Sequence, residues 1–166
     1  MQNEALSIQK LVATVHFLLQ NAYPESCSVS CGKESDMSSR RTLIAAINSD
    51  GAFLHLLQAL LHEEGYDVLL VQTGDIALDT IKQRPPKLVI LDIDATTPNA
   101  SWKLADLLML DPETTDIPLV ICSIADETLA TRKEKLTAAG SLIIEKPFNL
   151  NELMEAVHKL IASRSI

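Results

Sequence analysis

From Thr42 onward short apolar runs alternate with longer amphipathic segments without interruption, and few architectures accept that order. Residues 42–47, 67–71, 87–92, 117–123 and 141–145 predict strands. Residues 51–64, 75–83, 101–110, 127–139 and 149–162 predict helices, the first with Phe53, Leu56, Leu57, Leu60 and Leu61 on one stripe. Pro85-Pro86 stops the second helix, Asp111-Pro112 follows the third, and Gly140 follows the fourth. Asn149 or Asn151 is the expected cap of the last. The runs Leu88-Val89-Ile90-Leu91 and Leu119-Val120-Ile121 are apolar on consecutive residues, as strands are when helices cover both faces of a sheet. The reading is an α/β fold: a doubly wound five-stranded parallel sheet with helices on both faces.

Residues 1–41 read differently. Ile8, Leu11, Val12, Val15, Leu18 and Leu19 form one helical stripe within residues 4–20. Pro24 and a Ser/Cys/Gly-rich stretch through Arg41 then read as a flexible linker. The division is therefore an N-terminal amphipathic helix with its linker over 1–41 and a globular domain over 42–166. The stripe either folds back on the domain or forms a seam with a second copy or another partner. A homodimer is the expectation, because the domain's own helices already cover its sheet.

Charge narrows the function. The chain carries a net −8, and 47% apolar residues exclude general disorder. Residues 1–41 hold four acids and four bases, so the other 18 acids and 10 bases place the whole excess in residues 42–166. An acidic body does not suit nucleic-acid backbones; it suits a cation or a basic protein surface. Three cysteines, Cys27, Cys31 and Cys122, form neither a disulfide framework nor a zinc spacing, and free thiols in a reducing cytoplasm are the expectation. No apolar run approaches the roughly 18 residues of a membrane span.

In a doubly wound sheet, function gathers at the carboxyl ends of the strands. Those ends supply Asn48-Ser49-Asp50, then Asp92 followed by Ile93-Asp94, then Ser123, then Lys146-Pro147. A carboxylate can attack phosphorus, and a hydroxyl and a lysine can hold phosphoryl oxygens.

Residues 42–162 resemble the receiver domain of bacterial two-component response regulators. The resemblance rests on Gly65-Tyr66-Asp67-Val68, Leu88-Val89-Ile90-Leu91-Asp92, Asp111-Pro112 to Ile117-Pro118, Ile121-Cys122-Ser123, Ala138-Ala139-Gly140 and Lys146-Pro147-Phe148. It implies a flavodoxin-like (CheY-like) strand order of 2-1-3-4-5. It implies Asp92 as phosphoacceptor from a histidine kinase, Ser123 as switch hydroxyl and Lys146 as phosphoryl contact. It further implies a magnesium ion, with Asp92, Asp94 and Asp50 as the acids within reach, and a signalling protein, not an enzyme, as the product. The absence of a basic helix-turn-helix after residue 162 fits a stand-alone receiver that does not bind DNA.

Four positions depart from the family pattern. Asn48 and Ser49 stand where two acids usually hold magnesium, with Asp50 one residue late. Thr96 stands where a proline is usual, and Pro98 follows. The stretch from Gly140 to Lys146 is one residue short. Ile143 occupies the aromatic switch position. The first departure matters most. One pair of unit charges at 4 Å is worth about 4 kcal/mol at an effective dielectric of 20, and a divalent ion doubles it. Losing two carboxylates predicts magnesium binding weakened by orders of magnitude; the receiver then either keeps magnesium-dependent phosphotransfer to Asp92, with Asp50 or Asp94 restoring part of the charge, or works as a docking module independently of phosphorylation. A second pattern competes locally: Asp92-Ile93-Asp94-Ala95-Thr96 matches the Asp-x-Asp-x-Thr of haloacid-dehalogenase-like phosphatases, with Asp92 as nucleophile and Asp94 as general acid.

Overall fold

A computed structural model describes residues 41–72 and 76–163. The N-terminal helix and linker expected before Arg41 lie outside the described residues. Ten elements follow in alternation: β1 Leu43–Asn48, α1 Gly51–Glu63, β2 Asp67–Gln72, α2 Ala77–Gln83, β3 Leu88–Asp92, α3 Pro98–Leu110, β4 Leu119–Ile124, α4 Glu127–Ala138, β5 Leu142–Lys146 and α5 Leu150–Ala162. The strands form one parallel sheet in the order β2-β1-β3-β4-β5. That is the predicted doubly wound order.

Strand periodicity divides the core into two layers. Ile44, Ala46, Leu88, Ile90, Val120 and Ile144 pack against Leu54, Leu57 and Leu61 of α1 and Leu153, Val157 and Leu160 of α5. Ala45, Ile47, Val89, Leu91, Leu119 and Ile121 pack against Ile81 of α2, Trp102, Leu104, Ala105 and Leu108 of α3, and Leu129 and Leu136 of α4. Burial on both sides is why these strands are apolar at consecutive positions.

Helix ends follow local chemistry. Gly65 and Gly140 sit at φ 86° and 77°, after α1 and α4. Behind each, two amides return to the last turn: Gly65 to His62 and Tyr66 to Leu61, and Gly140 to Thr137 and Ser141 to Leu136. This double hydrogen bond needs a left-handed residue, which glycine adopts without penalty. The Asn149 side chain accepts from the Glu152 amide at 3.0 Å and donates to the Glu152 carboxylate at 2.9 Å, which settles the cap of α5. Helix α3 begins at Pro98, three residues before the predicted Ser101. Proline suits a first turn, since its fixed φ is helical and its missing N–H would have had no partner there.

Candidate functional site

The sheet register fixes which strand ends meet. Asp92 is paired with Cys122, and Ile47 with Leu91, so Asn48 lies beside Asp92 at the ends of β1 and β3. Counting in twos from Ile44, Leu88, Val120 and Ile144 puts Asn48, Asp92, Cys122 and Lys146 on the α1/α5 side of the sheet. Asn48, Asp92 and Lys146 line, with Ser49, Asp50, Asp94, Phe53 and Phe148, an open pocket of about 300 Å³.

Asp92 and Lys146 form its centre. The Lys146 ammonium lies 2.7 Å from Asp92 Oδ1 and donates to the Ile93 carbonyl at 3.2 Å. The peptide bond between Lys146 and Pro147 is cis. Burial raises the Asp92 pKa, and the lysine opposes this only in part. Beside Asp92, Cys122 is a buried free thiol. Desolvation and the neighbouring carboxylate push its pKa to about 12, so it offers no thiolate.

The loops above the strands are tied together through Asp94. Ser49 Oγ donates to Asp94 Oδ2 at 2.7 Å, joining the end of β1 to the loop after β3. The Thr96 amide and hydroxyl donate to Asp94 Oδ1 at 2.7 and 2.6 Å. The Asp94 amide donates to Ser101 Oγ at 3.3 Å, and Ser101 is fully buried in the first turn of α3. These donors, chiefly the Thr96 and Ser49 hydroxyls, lower the Asp94 pKa to about 2. Such a group holds no proton to donate near neutrality. Both Asp94 oxygens accept hydrogen bonds and neither donates, so the phosphatase reading, which needs Asp94 as general acid, has no support in this geometry.

The Asp50 and Ser123 side chains are each bonded to backbone groups, Asp50 at the pocket and Ser123 beside it. Asp50 caps α1, its Oδ1 accepting from the Ala52 and Phe53 amides at 2.8 and 3.3 Å. The Asp50 amide in turn donates to Asn48 Oδ1 at 2.8 Å. Ser123 is fully buried, and its hydroxyl donates to the Ile124 carbonyl at 3.1 Å. One residue beyond Cys122 in the register, it has the opposite strand parity from Asp92 and does not line the pocket. Ile143 sits half-buried against the α2–α4 layer.

Magnesium wants oxygen ligands in a near-ideal octahedron. The donors here are one lysine-paired carboxylate, an amide oxygen and a hydroxyl already hydrogen-bonded, a capping carboxylate, and a carboxylate held by three donors. No cluster of three acidic, histidine or cysteine side chains able to hold a metal occurs among the described residues. As arranged, the donor set does not fit a magnesium centre.

Sequence reasoning found Asp92, Lys146, Asn48, Ser49, Asp50 and Asp94. It missed the parts played by Thr96 and Ser101. Thr96 carried a signal, since Asp-x-Thr is a local turn pattern in which the aspartate accepts from the second residue on. Ser101 carried none, because its partner is a backbone amide.

Residues 44–158 match the family model for the response regulator receiver domain. The sensor histidine kinase GacS of Pseudomonas protegens is 28% identical over 127 residues, covering 76% of this chain but 14% of that protein. The phosphate regulon transcriptional regulatory protein PhoB of Rhizobium meliloti is 30% identical over 119 residues, 71% of this chain and 51% of that one. The chain thus spans only part of the length of these relatives. Among solved structures, a sensor protein from Polaromonas sp. JS666 is 25% identical with a TM-score of 0.62, covering 74% of this chain and 98% of that one. With the strand order and the site at the strand ends already established, the match over these residues means that the chain belongs to the response regulator receiver domain family of two-component signalling.

Proposed function

We propose that this chain is a signalling module that acts by protein–protein docking, with Asp92 at the phosphoacceptor position and with magnesium binding weakened. The observation that carries it is the Asp92–Lys146 pair at 2.7 Å with Asn48 and Ser49, an amide and a hydroxyl, beside it. Its partners are a histidine kinase or another signalling protein. Phosphorylation, where it occurs, forms a P–O bond to Asp92 as the donor's phosphoryl bond breaks. The acidic body fits a basic protein surface and not DNA. The protein turns over no substrate of its own in this reading. Its free Cys122 suits a reducing cytoplasm, and no described helix is long and apolar enough to cross a membrane. The stripe within residues 4–20 gives it a means of pairing with a second copy.

The test is acetyl phosphate with magnesium, followed by intact mass. Wild type should gain little phosphoryl mass. Asn48→Asp with Ser49→Asp should gain it readily and bind magnesium more tightly in a titration. Adding Asp92→Asn should abolish the gain. Complete phosphorylation of wild type at millimolar magnesium, with affinity unchanged by the double substitution, overturns the reading.

A further inference from the structure

We propose that Ser49 and Asp94 form an internal latch that holds the loop after β3 in one arrangement without a metal ion. The inference rests on the weak-magnesium reading above and extends it to what replaces the ion. Two loops separated by 45 residues in sequence meet in one hydrogen bond, from Ser49 Oγ to Asp94 Oδ2 at 2.7 Å. The other Asp94 oxygen takes both donors of Thr96, and the Asp94 amide is held by the buried Ser101 hydroxyl. Asp94 therefore connects β1, its own loop and the first turn of α3. A charge-assisted bond from a hydroxyl to a carboxylate is short and about twice as strong as a neutral one. In a metal-dependent site these two loops would be drawn together by a cation. Here a hydroxyl at position 49 does it, and an acid there would repel Asp94 unless a cation were present.

The consequence is a pocket rim whose shape does not wait for metal. A partner that reads the loop from Asp94 to Thr97 would meet the same surface with or without magnesium.

Backbone relaxation by NMR tests this on the full chain in EDTA, with Ser49→Ala and Ser49→Thr as the variants. Ser49 is exposed, so neither change disturbs the core. Wild type should show order parameters at 94–97 near the rigid value of about 0.85. Ser49→Ala should drop them below about 0.6, and Ser49→Thr, which keeps the hydroxyl, should restore them. An unchanged loop in Ser49→Ala overturns the latch, as does a loose loop in Ser49→Thr. Tight magnesium binding to wild type is a separate result. It would defeat the weak-metal reading, while the comparison in EDTA would still decide the latch.

Discussion

At the scale of single residues, the site is three carboxylates given three different tasks by their neighbours. Asp92 is desolvated and keeps one lysine, so its pKa is raised. Asp94 is half-buried but held by hydroxyls and amides, so its pKa falls from 3.8 to about 2. Asp50 spends its side chain on a helix end. Lys146→Met removes the one cation beside Asp92 among the described residues and should raise the Asp92 pKa further; a carbon-13 titration of its carboxyl in both proteins reads this, and identical curves would mean the ammonium does not act on it. Asp94 has the opposite sign. Its folded pKa lies below the unfolded one, so its stabilising effect is fully present above about pH 3.8 and is lost as pH falls through 2. Between pH 5 and 2, wild type should lose more stability to denaturant than Asp94→Asn does, measured as the difference in midpoint shift.

At the scale of elements, caps decide where helices begin and end, and one of them competes with function. Asp50 was legible as an acid near the site but not as the cap of α1, because both tasks ask for a carboxylate at a strand-to-helix turn. Asp50→Ala should cost about 1 kcal/mol in chemical denaturation, whereas Asp50→Asn, which keeps an accepting oxygen, should cost a few tenths at most. If Asp50 chiefly held a metal, the two variants would instead fall together in magnesium titration and leave stability alike. The helix end at Gly140 was legible as a glycine after a helical segment, since left-handed backbone has few other tenants; Gly65 ends α1 in the same way. The start of α3 was not, because a proline reads equally as a stop and as a first turn.

At the scale of the molecule, one sheet carries two cores, and each depends on full side chains. Leu57 and Leu108 are both almost entirely buried, one in each layer. Truncating either to alanine should cost about 2–5 kcal/mol, read from denaturant midpoints; a loss confined to one layer's variant would mean the other layer is loosely packed. A helix over residues 4–20, as proposed above, would be marginal alone in water, and the proposed pairing would give its apolar stripe a packing surface. Deleting residues 1–40 should convert a dimer into a monomer by sedimentation at several concentrations. A full-length chain that is monomeric throughout would defeat the pairing.

The sequence by itself determined the alternation of strands and helices, the burial of β3 and β4 on both faces, and the meeting of Asp92 with Lys146, because period and strand-end position are local properties that a parallel sheet converts directly into proximity. It also put an amide and a hydroxyl, Asn48 and Ser49, at and just after the end of β1. Tertiary structure alone decided what those residues do. Ser49 reaches Asp94 across 45 positions, Ser101 takes the Asp94 amide, and Ser123 gives its hydroxyl to a neighbouring carbonyl. A hydroxyl accepts or donates to whatever lies within about 3 Å, and residue type and spacing carry no record of which group the fold will bring there.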